Sequence, residues 1–286
     1  MPIDYQTLLN FRIPEIRQDL RWQDSSLYAL SLGLGQDPMD AEALRYVTEG
    51  PSMRALPTMA VVLGYPGFWL ADPATGVDAV KLVAGEQAVE LFAPLPTSGT
   101  VVGKSRVTGL VDRGAGKGAL LYTARDIIEE STGAKLATVE NTTFLRGDGG
   151  FGGPDGPVKR LAAEPDTAPD VTLDLPTRPE MALLYRLNGD HNPLHSDPAL
   201  AAKAGFPRPI LHGLGTFGVV GRALLATICE NDPDRFGRME CRFSAPVFPG
   251  ETIRTEIWRA PTGAAFRAKV VERDITVISH GTFRTR

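Results

Sequence analysis

The stretch from Tyr185 to Gly218, YRLNGDHNPLHSDPALAAKAGFPRPILHGLGTFG, carries three of the four histidines in a chain of 286 residues. The fourth is His280, and residues 1–190 contain none. Histidine is the side chain whose ordinary pKa lies nearest neutrality, so the clustering is metal ligation, acid–base chemistry or coincidence. His191 and His195 are four apart, which on a helix would make a metal-binding face. Pro193 lies between them and disfavours helical geometry at Asn192 as well, so that reading fails on local geometry. Acid–base chemistry remains. A carboxylate and an imidazole on one bent loop, Asp190 and His195, can converge on a single water and move its proton. Asn192 between them has the donors and acceptor to orient either partner. Downstream, PILHGLG puts Gly213 at the expected N-terminus of an apolar helix. Unpaired N–H groups and the positive end of the dipole there would stabilise a carbonyl oxygen gaining charge. Glycine lets a ligand approach that backbone closely. Acid, base and oxyanion donor together suit chemistry next to a carbonyl.

Plainer roles account for the neighbours. NGDHNP is also turn composition, so Asp190 and Asn192 suit a simple turn, and His191 reads as a solvent-facing loop residue. Asp197 is a good N-cap, Pro198 suits the first helical position and Gly205 a C-terminal cap, leaving Asp190 to Ser196 as an irregular loop. His280 falls in a strand-like run, and Cys229 and Cys241 have no chemical partner. All three read as structural.

The elements that must hold this stretch come in two matching sets. SLYALSLGLGQDP (Ser26–Pro38) parallels LLYRLNGDHNPLH (Leu183–His195), LPTMAVVLG parallels RPILHGLGTFG, and LFAPLPTSGT parallels RFSAPVFPGET. Three matches in one order indicate a tandem duplication, with units at 1–148 and 176–286. The Gly-, Pro- and Asp-rich segment 149–175 between them reads as a linker over the surface. In the second unit LHGLGTFGVVGRALLATICEN is apolar nearly all round, as a buried helix is, and RALPTMAVVLGYPGFWL is its expected counterpart in the first. Runs such as KSRVTGLVD, GALLYTARDI and KLATVENTTFLR, and later AAFRAKVVERD and ITVISHGTFRTR, have strand composition. Strands following one central helix give an α+β arrangement, an antiparallel sheet wrapped around each helix, and two such units can join their sheets.

Composition narrows the class. The chain is 43% hydrophobic and 22% charged with net charge −4, which suits a globular protein and lacks the basic field of a nucleic-acid or membrane-surface binder. Two cysteines make no disulfide framework. The most apolar window is broken by prolines and glycines and is a poor membrane span. The charged N-terminus lacks a signal core and the terminal TFRTR is no peroxisomal address, so a cytoplasmic setting is expected.

YRLNGDHNPLHSDPALAAKAGF followed by PILHGLGTFG resembles the hydratase 2 motif of MaoC-like (R)-specific enoyl-CoA hydratases. The likeness extends through GGFGGP in the linker and RFSAPVFPGET beyond, as in the two-unit members of that family. It implies a double hotdog fold and reversible hydration of trans-2-enoyl-CoA to (3R)-3-hydroxyacyl-CoA, with no metal or redox cofactor. By resemblance, Asp190 and His195 are the catalytic pair, Asn192 supports them, and Gly213 donates its N–H to the thioester oxygen. Phe243 would line the acyl-CoA site, with Ala84, Gly85 and Arg113 as contacts from the first unit. Ala84 departs from the family's histidine, and Arg113 replaces a lysine, keeping the charge but not the geometry. Aligning Tyr28 with Tyr185 sets Gly33 against Asp190 and Pro38 against His195, so the first unit lacks the acid–base pair and should shape the acyl pocket. A symmetric homodimer is expected, built without nucleic acid or membrane. The rival readings are a hotdog acyl-CoA thioesterase and a non-catalytic acyl-CoA-binding protein.

Overall fold

The computed structural model describes residues 2–286. Ten antiparallel strands make one continuous sheet: β1 (Ile16–Leu20), β2 (Leu82–Leu91), β3 (Gly99–Asp112), β4 (Ala119–Glu129), β5 (Lys135–Leu145), β6 (Val171–Pro176), β7 (Phe236–Phe243), β8 (Thr252–Ala260), β9 (Gly263–Val270) and β10 (Ile275–Thr285). Their spatial order is β1-β3-β4-β5-β2-β7-β10-β9-β8-β6. Read outward from the centre, the halves have the same connectivity: second strand, fifth, fourth, third, first. The duplication seen in the sequence is therefore a pseudo-two-fold in space. The seam is the β2–β7 pairing, from Glu86 opposite Arg242 to Glu90 opposite Arg238.

Six short α-helices accompany the sheet: α1 (Tyr5–Leu9), α2 (Trp22–Ser31), α3 (Ala41–Leu44), α4 (Met181–Tyr185), α5 (Pro198–Lys203) and α6 (Gly213–Thr227). α6 is the long apolar helix expected in the second unit, with ten of its fifteen residues buried. Its glycines permit close crossings. A Cβ added at Gly221 would stand 2.4 Å from Thr58 Cγ2, and one at Gly218 2.6 Å from Leu32 Cδ1. Both neighbours belong to the first unit, and one apolar core runs through both halves.

The first unit departs from expectation at its own helix. RALPTMAVVLGYPGFWL forms no long helix but a 3-10 turn, Pro57–Val61. Pro57 fixes the start, and Gly64 forces the end. There φ is +55°, and a Cβ would lie 2.5 Å from Gly103 Cα, so the backbone must break away against β3. Few residues remain between these limits, too few to offset helix nucleation. The linker also needs correction. Its last residues form β6, paired along β8 from Val171 opposite Ile257 to Pro176 opposite Thr252. VTLDLP alternates half-buried with exposed positions, which suits an edge strand with proline at its end. Before β6 the linker crosses the sheet, held by Lys159 on Glu240 and Glu164 on the His280 N–H. GGFGG is gathered by the buried Asp112 carboxylate, which accepts from the N–H groups of Gly114, Gly150 and Gly152.

Candidate active site

The loop between α4 and α5 is built from local hydrogen bonds. Gly189, at φ +111°, turns the chain out of a short 3-10 turn, a conformation that favours glycine. Asp190 follows, its Oδ1 accepting from the Asn192 N–H at 3.2 Å. Asn192 Oδ1 in turn accepts from the Leu194 N–H at 3.0 Å and caps a second 3-10 turn, Pro193–His195. Asn192 therefore shapes the loop carrying both groups, and its side-chain oxygen faces the turn rather than either partner. Asp197 caps α5 through Ala199 and Leu200, with Pro198 first in the helix and Gly205 beyond its end at φ +87°. His191 is exposed, and both cysteines are buried and unpaired.

His195 points inward. Its Nδ1 lies 2.9 Å from the Ile210 carbonyl oxygen. A carbonyl only accepts, so Nδ1 carries the proton and Nε2 presents a lone pair. The His195 ring stacks on His212, with centroids 3.7 Å apart and planes at 27°. His212 Nε2 donates to the Asp190 backbone oxygen at 3.2 Å, and Tyr185 lies against His212 at 4.9 Å. A carboxylate oxygen of Asp190 and one ring nitrogen from each of His195 and His212 all lie within 4.8 Å of one another. Burial lowers the His195 pKa, opposed by its bond to Ile210 and by the Asp190 carboxylate. His212 is lowered by burial and again by charge on His195. Each of the two stacked imidazoles holds one N–H when neutral, and together they carry at most one positive charge comfortably.

Gly213 opens α6, with His212 as its N-cap, so its N–H has no intrahelical acceptor. The nearest atoms to a Cβ there would be those of the Phe243 ring, at 3.5 Å. Phe243 ends β7, and the seam ladder stops at Glu86 opposite Arg242. Gly85 and Ala84 thus stand at the same end of the seam as Phe243. Gly85 is the extra residue of a β-bulge, packed so tightly that a Cβ would come 3.1 Å from the Thr142 oxygen. Arg113 is exposed on the β3–β4 turn. The pairings Asp112–Ala119, Ala119–Leu145 and Leu145–Leu82 put it at that sheet end too, three strand spacings or about 14 Å from β2. Asp190, His195, Gly213 and Phe243 converge, Ala84 and Gly85 flank them, and Arg113 stands apart. Sequence reasoning gave no role to His212. The one available signal for His212 was its place immediately before Gly213.

The architecture and this loop define a double hotdog protein of the MaoC-like type. Residues 160–280 match the family described as MaoC like domain, and residues 19–147 match the MFE-2 hydratase 2 N-terminal domain. The chain is 38% identical to a probable enoyl-CoA hydratase 2 of Dictyostelium discoideum, across 98% of this chain and 96% of that one. It is 41% identical to 3-hydroxyacyl-thioester dehydratase Y of Mycobacterium tuberculosis, across 88% and 87%. A crystal structure of a MaoC-like dehydratase from Phytophthora capsici superposes with a TM-score of 0.86 at 32% identity, covering 98% of each chain. The chain belongs to the two-unit MaoC-like hydratase 2 family.

Proposed function

We propose that this protein hydrates trans-2-enoyl-CoA thioesters reversibly to (3R)-3-hydroxyacyl-CoA, as a lyase of acyl-CoA metabolism. The observation that carries the reading is the pairing of a buried His195, its Nε2 free, with the Asp190 carboxylate beside the N-terminus of α6. Asp190 and His195 hold one water. Its oxygen bonds to Cβ as one of its O–H bonds breaks, and the pair delivers a proton to Cα on the same face. The Gly213 N–H meets the thioester oxygen as charge builds there, where a preorganised donor contributes most. Asn192 holds the loop. Phe243, Ala84 and Gly85 line the thioester's path, and Arg113 meets the far part of the coenzyme. Every role is filled from this chain's own side chains and backbone. The first unit binds and the second, beginning with β6, catalyses. The curated relatives named as hydratases and dehydratases support the activity.

A cytoplasmic homodimer completes the proposal. Closed two-fold assemblies are the commonest, and the two unpaired buried cysteines suit a reducing compartment. Among the described residues no helix is long and apolar enough to cross a membrane. The test follows the enoyl-thioester absorbance with crotonyl-CoA and longer enoyl-CoAs, with chiral analysis of the product. Bleaching without thiol release and a 3R product are expected. Thiol release would assign a thioesterase instead, and binding without turnover a non-catalytic acyl-CoA carrier.

A further inference from the structure

Arg125 is the most unusual charge in the first unit. It points inward from β4 between Leu121 and Ile127, both fully buried, and is itself 5% exposed. Its Nη2 donates to the Val61 carbonyl at 2.6 Å, but its Nε is buried with no acceptor. Among the described residues no carboxylate comes within ion-pair reach of it. The half-buried arginines at the seam differ: Arg238 and Arg242 both have glutamate partners. A buried guanidinium without an anion is costly, and anchoring one backbone oxygen needs only a neutral amide. Burial lowers its pKa to about 10, which still leaves it charged near neutrality.

Its surroundings connect it to the candidate active site. The guanidinium lies 5.5 Å from the Tyr65 ring centroid. Tyr65 follows Gly64, is 43% exposed, and feels both charges: burial of its hydroxyl raises its pKa, Asp190 raises it further, and Arg125 lowers it. Tyr65 thus packs against the unpaired cation of one unit and feels the charge of Asp190 in the other. The inner face here is covered by the five-residue turn Pro57–Val61, where the second unit has the fifteen residues of α6. The first unit's cover is thus the shorter of the two.

We propose that the substrate's acyl chain runs from Asp190 and His195 past Tyr65 to Arg125, which binds a carboxylate at the chain's far end. The substrate class is then the enoyl-CoA thioester of a dicarboxylic acid. This deepens the hydratase reading and rests on it. The Arg125 Nε and its charge both gain the partner they lack, while the bond to Val61 fixes the guanidinium in advance.

The experiment measures kcat/KM for pairs of trans-2-enoyl-CoAs matched in length and ending in methyl or carboxylate, using the full chain. At one chain length the carboxylate should be preferred by at least about tenfold, a modest share of what a site built to bond a polar group achieves. Arg125→Met should bring that ratio toward one, and Arg125→Lys should keep part of it. Equal rates for both ends at every length would overturn the proposal while leaving the hydratase reading intact. Failure to hydrate any enoyl-CoA would sink that reading itself and this proposal with it. Should Arg125→Met not fold, the Arg125→Lys ratio decides. A residue that only braces Val61 would lower the melting temperature and leave the preference unmoved, and that result also overturns the proposal.

Discussion

Alanine at two glycines of α6 separates a packing role from a substrate role. At Gly221 the new Cβ would lie 2.4 Å from Thr58 Cγ2, so helix and turn must part by roughly 1 Å to reach ordinary contact. Thr58 cannot swing away. It is 2% exposed and β-branched, and its carbonyl accepts from the Tyr28 hydroxyl at 2.9 Å. Overpacking of this kind costs about 1–3 kcal/mol, here near the upper end, and the better helix propensity of alanine returns about 1 kcal/mol. A net loss of about 2 kcal/mol lowers the melting temperature by roughly 4–8 °C in a protein of this size. At Gly213 the nearest neighbour of the same methyl is the Phe243 ring at 3.5 Å, an ordinary contact. Gly213→Ala should melt at or above the wild-type temperature. It should nonetheless lose about 10²-fold in turnover, because the methyl displaces the thioester from the helix N-terminus and misplacement by ~1 Å carries that penalty. Thermal melts and enoyl-CoA hydration on the two variants decide the matter. A Gly221→Ala protein as stable as wild type would refute the crossing argument, and a fully active Gly213→Ala would remove the oxyanion role.

Asp190→Asn and His195→Gln should each lower turnover by at least about 10²-fold with the fold retained; the double variant should be little worse, as groups acting as a unit are not additive. Burial lowers both His195 and His212, so the unfolded chain takes up protons first as pH falls through about 6.5. Their stabilisation is complete above that pH and is lost below it, so the melting temperature should fall on acidification and fall less steeply in His212→Gln. Arg113→Ala should raise KM for acyl-CoA more than it lowers kcat, because a contact far from the reacting atoms holds ground and transition states alike; an equal loss in both would place it at the chemistry. At acyl-CoA concentrations below the raised KM, Asp190→Asn and Arg113→Ala chains mixed under subunit exchange should show no activity beyond that of the Arg113→Ala chains alone, and an excess over it would show sites shared between chains.

What the sequence disclosed was the part governed by local chemistry. Asp197, Pro198 and Gly205 define a helix by capping alone, and the apolar run after Gly213 could only be buried. β3, β4, β5, β9 and β10 were legible from composition, β1 and the seam strand β2 drew no reading, and the duplicated order allowed the two sheets to join. The first unit's helix was not legible, because the contact that ends it joins Gly64 to Gly103 across the fold. β6 was hidden by its neighbours: VTLDLP alternates correctly, but Asp and Pro around it read as linker. In the site, Asp190 and His195 were visible through their spacing. The His212 stack was not, since it depends on the approach of α6 to the loop. Arg125 lies in an ordinary strand run, and nothing local shows that its partner is missing.

The first unit lacks an acid–base pair for physical as well as chemical reasons. Tyr28 and Tyr185, the matched tyrosines, meet across the pseudo-two-fold with ring centroids 6.1 Å apart, so the loops after them are true structural counterparts. Where the second loop presents Asp190, the first has Gly33 at φ +85°, and Gln36 Nε2 would stand 2.7 Å from a Cβ there. Arg222 Nη1, from α6, lies 3.2 Å from the same point, and its guanidinium donates to the Leu32 carbonyl. The catalytic unit's own helix thus fills the place where a second acid–base pair would stand. An aspartate restored at position 33 would meet that side chain in a backbone conformation that L-residues avoid. The two units are therefore not interchangeable halves awaiting a pair of mutations. The helix that positions one site closes the other.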